Sequence, residues 1–313
     1  MAPSPLAEAP QASKPGIPAA RQHWIGAGLC TISAAGFSTL AILVKFAYGE
    51  GLSLPGILYL RFGGAAVLLV VYLLARRIRF VFSFRKTLPL FLLGSVGYAI
   101  QASLYVGALE RIPASVAALL LYSYPVFVAL LAWVIGRRRP TGQEWGAMAL
   151  ALAGVVLTIS PSEAIGRADP LGLAMVMTSA VWYAGYITIS DRVIARTGSL
   201  VSTAWITLGA FISFTLVGWA TRSLPASLSP NLAWIMLAMV LFSTILPIGT
   251  FLAGMGRVGP TAASLLSTLE PVFTTLLAAA FLRETLGERQ VVGGALVLAA
   301  VVLLNLPTRA RTP

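Results

Sequence analysis

From Trp24 onward the chain alternates between long apolar runs and short polar turns. A helix needs about 20 mostly apolar residues to cross the hydrocarbon core of a bilayer. Ten runs approach or exceed that length: 24–48, 55–75, 88–110, 114–136, 142–160, 170–191, 200–220, 231–255, 261–283 and 288–306. The turns between them leave no room for a soluble domain. The pattern predicts an all-α polytopic membrane protein with ten transmembrane helices. Residues 1–22, rich in Pro and Ala, read as a disordered N-terminal tail, and 308–313 as a C-terminal tail. The first run is longer than a signal-peptide core and reads as a retained helix.

The pattern also repeats. Displacing the chain against itself by 146 residues matches about 18 of the 47 positions from Arg111 to Leu157 without a gap. Arg111 falls on Arg257, Pro125 on Pro271, and Val155, Val156 and Leu157 on Val301, Val302 and Leu303. The same shift brings Gly26 to Gly172 and Ser33 to Ser179. The repeating unit is therefore five helices, 23–165 and 166–307. An odd number of crossings makes the second unit enter from the opposite side. The expected architecture is an inverted five-plus-five repeat around a central cavity, a recurrent plan of secondary transporters.

Composition narrows the solvent. The chain is 58% hydrophobic and 10% charged, where a soluble domain carries about 25% charge, so most of its surface must meet lipid. The net charge of +12 sits in short clusters between apolar runs, not on one folded face, which argues against nucleic acid as a partner. Placing the N-terminus inside collects Arg76, Arg77, Arg79, Arg85, Lys86 and Arg137–Arg139 on the inner side, and leaves Arg111, Arg167, Arg222, Arg283 and Arg289 outside. That asymmetry predicts a multi-pass protein of the cell inner (plasma) membrane with both termini cytoplasmic. The single cysteine, Cys30, allows no internal disulfide.

The ten-helix plan, Arg61 within YLRFGGAAVLLV, and the stretch LEPVFTTLLAAAFLRETLGERQVVGGALVLAAVVLL resemble the drug/metabolite transporter superfamily, EamA type. The resemblance covers about 24–306. The first unit departs from the pattern, with Tyr124 in place of the Glu and Arg138 where Glu284 stands. More narrowly, GLCTISAAGFSTLAILVKFAY in the first helix is similar to the YddG branch, and that resemblance implies export of aromatic amino acids and methyl viologen.

Several side chains invite a role. Pro125 and Pro271 occupy matched positions near mid-helix, where proline frees the carbonyl four residues back, on Leu121 and Ser267. Paired kinks could act as hinges, or as static bends. Glu270 is the most deeply placed acid, and a charge at that depth needs water or a partner. It reads as a gating or hinge residue with Pro125 and Pro271, and is compatible with proton antiport and with facilitated diffusion alike. Lys45 and Arg61 read as an outer-gate charge for a substrate carboxylate, or as snorkelling side chains.

In the third helix Ser95, Tyr98, Gln101 and Tyr105 recur at three- and four-residue steps and share a face. The sixth offers Ser179, Trp182, Tyr183 and Tyr186, and the first offers Ser33 and Phe37 at positions matching Ser179 and Tyr183. An aromatic wall with a few hydroxyls suits a flat small-molecule substrate. The competing reading is an interfacial aromatic belt, which Trp24, Tyr48 and Trp145 fit better.

His23 is the only histidine, and no paired intramembrane Asp, metal-ligand cluster or Gly-Lys-Ser/Thr loop is present. Neither enzyme chemistry nor a cofactor is expected. A receptor or scaffold would need an interaction domain or long tail. The expectation is a transporter that exports small organic metabolites, aromatic amino acids first, with other amino acids or cationic drugs as alternatives. Nothing in the sequence sets an oligomeric state.

Overall fold

The computed structural model describes residues 19–78, 83–109, 111–112, 120–135, 139–159, 169–194, 197–225, 227–282 and 288–306. Those residues are helical or in turns, with no strand among them. In chain order the helices are α1 (Ala19–Gly49), α2 (Leu54–Ala75), α3 (Phe84–Leu92), α4 (Ala99–Leu109), α5 (Tyr124–Val134), α6 (Gly142–Ile159), α7 (Pro170–Ile194), α8 (Ser199–Ala220), α9 (Pro230–Val240), α10 (Leu246–Val258), α11 (Pro260–Leu266), α12 (Glu270–Leu282) and α13 (Glu288–Asn305). Among the described residues six helical runs are long and apolar enough to span a bilayer, and three further apolar helices are shorter. The chain is thus a multi-pass membrane protein.

Local chemistry sets the helix starts. Ser53 accepts the Gly56 N–H ahead of Pro55, and Ser229 accepts the Leu232 N–H at 3.1 Å ahead of Pro230. Both satisfy amides that a first turn leaves open, with proline where no N–H is required. At α6 the Thr141 N–H donates to Glu144 Oε2 at 2.8 Å while the Glu144 N–H donates back to Thr141 Oγ1, a reciprocal capping box. At the other end of the chain, Ala19–Gln22 belong to α1. Ala, Arg and Gln are all strong helix formers. Residues 1–18 and 307–313 lie outside the described residues. So do the start of the fourth apolar run (113–119), the 136–138 cluster and the Arg283–Gly287 motif.

Four runs expected as plain helices are interrupted. Between α3 and α4 lies a π segment, Leu93–Tyr98, and between α9 and α10 another, Leu241–Ile245. A π turn bonds i to i+5 and inserts a residue into the ladder. In the fourth and ninth runs the hydrogen-bond pattern changes at matched places while the backbone stays right-handed helical. α5 opens after a turn at Tyr122–Ser123, and α12 opens after a 3₁₀ turn at Ser267–Leu269. Pro125 and Pro271 stand in the first turns after these changes, where proline's missing N–H costs least.

The helices pack as α1 on α10, α4 on α7, α2 on α8 and α6 on α13. Gly26 on α1 lies against Gly254, Arg257 and Val258, and Gly172 on α7 against Ala108, Arg111 and Ile112. Ser33 Oγ donates to the Pro247 carbonyl at 2.8 Å, and Ser179 Oγ to the Gln101 carbonyl at 3.0 Å. In each comparison the second set follows the first by 146 residues in sequence, in either direction. Where α3 gives way to the π segment, a Cβ on Gly94 would lie 2.0 Å from the Ile206 carbonyl oxygen, so only glycine lets α8 come this close. Outside the membrane-spanning runs, Arg111 Nη1 donates to Asp169 Oδ2 at 2.8 Å. That bond first, and the Leu171 N–H second, hold the Asp169 carboxyl below the usual carboxylate range.

Candidate functional site

A cavity of about 880 Å³ lies between α1, α2, α4, α5, α7 and α12. It reaches from the α1–α2 turn, where Tyr48, Ser53 and Pro55 line it, to Ser267 and Glu270 at the break before α12. Its volume falls in the usual range for small-molecule sites. Tyr48, Tyr98, Tyr105, Tyr122, Tyr124 and Tyr183 contribute six phenol rings, and Phe37 a further aromatic face.

Three of these rings, Tyr98, Tyr124 and Tyr183, are linked through Tyr186 and reach Phe62. Tyr124 meets Tyr183 edge-on at 4.8 Å between centroids; Tyr183 stacks on Tyr186 at 5.9 Å; Tyr186 meets Tyr98 at 6.0 Å; and Tyr98 meets Phe62 at 5.3 Å. Such offset and edge contacts add about 0.5–1.5 kcal/mol each beyond burial and hold the wall rigid.

Charge enters at two points. Arg61 on α2 is 2% exposed and also lines the cavity. Its Nε donates to Thr244 Oγ1 and its Nη2 to the Ser243 carbonyl, each at 2.7 Å. The acceptors exist because the π segment loosens the ladder. Thr244 Oγ1 donates to the Met239 carbonyl five residues back, and so can accept from Arg61. Snorkelling is thereby ruled out for Arg61, whose guanidinium is held by protein inside the bundle. Glu270, the first residue of α12, lies near the Tyr122 side chain, which lines the same cavity, and interacts electrostatically with Arg61. A carboxylate at a helix N-terminus is favoured by the helix dipole.

Of the residues singled out from sequence, Phe37, Arg61, Tyr98, Gln101, Tyr105, Tyr183 and Glu270 line the cavity. The others stand elsewhere. Ser33 and Ser179 are buried helix-crossing ties, because a hydroxyl away from water seeks the nearest free carbonyl. Ser95 falls inside the π segment, where the extra residue rotates it off the stripe of Tyr98 and Tyr105; its carbonyl accepts from Ser213 Oγ at 2.8 Å. Trp182 is 39% exposed on the outside of the bundle and donates Nε1–H to the Gly97 carbonyl at 2.8 Å. Tyr186 backs the wall between Tyr98 and Tyr183 without lining the cavity. Pro125 and Pro271 are buried beside the breaks. The Lys45 side chain lies outside the described residues.

Tyr122, Tyr124, Ser267 and Thr274 were not singled out as site residues. Two residues apart on a helix, Tyr122 and Tyr124 would point about 200° apart. The turn at 122–123 removes that constraint and lets both reach the cavity. The available signal was the proline next to them.

The sequence pattern of the EamA-like transporter family matches residues 24–160 and again 170–306. An uncharacterized transporter of Bacillus subtilis, YwfM, is 27% identical over 81% of this chain and 84% of its own. The threonine/homoserine exporter RhtA of Escherichia coli K12 is 25% identical over 82% of this chain and 83% of its own. An uncharacterized transporter of Synechocystis, sll1319, is 28% identical over 63% of this chain, and the match spans 60% of that protein, under two thirds of its length. A solved crystal structure superposes with a TM-score of 0.76 over 89% of this chain and 95% of that one, at 20% identity, a likeness of fold alone.

Proposed function

The chain belongs to the EamA-like transporter family, and from that premise we propose that it exports small organic metabolites, aromatic amino acids foremost, by alternating access. The observation that carries this reading is the tyrosine-walled cavity. A flat apolar side chain gains edge and face contacts from Tyr98, Tyr105 and Tyr183, while the hydroxyls stay available for polar ends. Ten membrane crossings arranged as an inverted five-plus-five repeat, with cytoplasmic termini, complete the proposal. In its favour are the two family matches offset by 146 residues and the paired Ser33 and Ser179 hydrogen bonds. Pro125 and Pro271, at the two breaks, are the proposed hinges. The similarity of the first helix to the YddG branch points to the same substrates.

A second reading is export of small hydroxylated amino acids. It is favoured by the relative named a threonine/homoserine exporter and by Ser53, Ser267 and Thr274 in the cavity wall. A panel of radiolabelled amino acids in proteoliposomes separates the two. Phenylalanine and tryptophan should move fastest under the first reading, threonine and homoserine under the second. Movement of methyl viologen with no amino acid flux would defeat both. The same vesicles with and without a pH gradient distinguish proton antiport from facilitated diffusion.

A further inference from the structure

We propose that the cavity holds its substrate as a zwitterion, with the carboxylate on the open edge of Arg61 and the ammonium on Glu270. The inference rests on the amino-acid export reading and assigns two residues that enforce it. Among the described residues lining the cavity, Arg61 carries the one positive charge and Glu270 the one carboxylate. They interact electrostatically, yet among the described residues no salt bridge joins them. Something placed between them can therefore meet both.

The guanidinium is half used. Thr244 and Ser243 accept from the Nε–Nη2 side, and neither brings a negative charge. Arginine has five N–H donors in a rigid fork, so the end-on Nη1–Nη2 edge still has donors to give. A buried cation without a counter-charge is costly. A carboxylate laid against that edge supplies the charge and two parallel acceptors at once.

Glu270 presents the complement. Its carboxyl shares the cavity wall with the Tyr122 phenol, and a carboxylate has room for about four hydrogen bonds. A primary ammonium offers three donors and an opposite charge. A monoamine would leave the Arg61 edge desolvated and unanswered, and a simple acid would leave Glu270 so. A ligand that carries both groups, as an amino acid does on its α-carbon, removes both penalties while its side chain lies along the tyrosine wall. This gives Glu270 a part in recognition as well as in gating.

The test uses three ligands of one shape: phenylalanine, phenethylamine without the carboxylate, and 3-phenylpropionate without the ammonium. Their binding to the purified full-length protein in lipid nanodiscs is measured by calorimetry, and threonine with its two truncated analogues is run in parallel. On the wild-type chain each truncated analogue should bind at least about tenfold more weakly than its parent amino acid. Arg61→Gln should weaken phenylalanine by about tenfold or more and leave phenethylamine within about twofold. Glu270→Gln should do the same to phenylalanine while sparing 3-phenylpropionate. The wild-type comparison stands even if a variant fails to fold. Either analogue equalling its parent on the wild-type chain overturns the proposal. Equal loss of all three ligands in Arg61→Gln does so too, because that is the signature of Arg61 as glue between α2 and the π segment. Amino-acid flux in proteoliposomes with equal binding of the analogues removes the zwitterion pose alone; absence of any amino-acid flux removes the exporter reading with it.

Discussion

Tyr98 and Tyr105 stand about two turns apart on one wall of the cavity, a separation of about 10 Å along the helix. That is close to the length of an aromatic amino acid, so one substrate can touch both. Tyr105→Ala and Tyr98→Ala should each lower phenylalanine and tryptophan transport by about fivefold or more, consistent with the loss of one aromatic contact of about 0.5–1.5 kcal/mol plus burial. Threonine transport should change by less than about twofold. Initial rates in proteoliposomes measure both, and equal slowing of all substrates would make the wall structural. This stripe was legible in sequence because α4 keeps the helical period from Ala99 onward. Ser95, one step outside it, lies off the stripe because the π segment shifts the phase. Ser33 and Ser179 bond backbone carbonyls instead, for a different reason. Their spacing puts them near the bundle centre, but spacing does not say whether a carbonyl lies closer than water.

At the scale of elements, the two π segments and the two changes of helical hydrogen-bond pattern matter more than helix lengths. The α3–α4 run can meet α8 only through Gly94, where a Cβ would strike the Ile206 backbone at 2.0 Å, and Gly209, where it would strike the Phe91 carbonyl oxygen at 2.3 Å. Backbone on the far side cannot swing away as a side chain could. Gly94→Ala should therefore destabilise the protein by about 1–3 kcal/mol or more. It would appear as a lower Tm and an early loss of the monodisperse peak in detergent. Gly28→Ala, with nothing within 4 Å of the new methyl, should hold or raise stability, since alanine is the better helix former. Similar losses at both sites would refute the crossing argument. At α6, Glu144→Ala removes half of the capping box and should cost about 0.5–2 kcal/mol, read from the same melting curves.

On the scale of the whole molecule, some lining positions lead, 146 residues on, to buried ones. Advancing the lining residues Ile57, Arg61 and Tyr105 by 146 positions leads to Thr203, Thr207 and Phe251, all buried. Thr203 and Thr207 return their hydroxyls to their own helix, to the carbonyls of Ser199 and Thr203. Hydroxyls satisfied in this way can sit in a dry interface now and face water later. Under alternating access by the two proposed repeats, the opposite state should open along these residues. In a Cys30→Ala background, Thr207→Cys and Tyr48→Cys should be labelled by a membrane-impermeant maleimide from opposite sides of the bilayer. Substrate that speeds one should slow the other. Labelling of the 48 position alone, under every substrate gradient, would contradict the exchange of repeats.

What could be read along the chain was whatever depends on local composition and on distance in sequence. The helical class and the membrane as solvent follow from apolar runs too long and too frequent for a soluble core. The 146-residue periodicity is visible because paired positions keep their residue types, as with Pro125 and Pro271. Gln101, Tyr105 and Tyr183 line the cavity from helices that keep their period, so a fixed-angle stripe places them. Arg61 was noticed as a charge in an apolar run, but its burial depends on Ser243 and Thr244, more than 180 residues away and freed by a π turn that no propensity announces. Tyr122 and Tyr124 enter the cavity only because the helix is interrupted before Pro125. Hydrogen bonds between distant segments, and the breaks that make carbonyls available to them, are settled when the helices pack, since only then does each polar group meet the partner that replaces water.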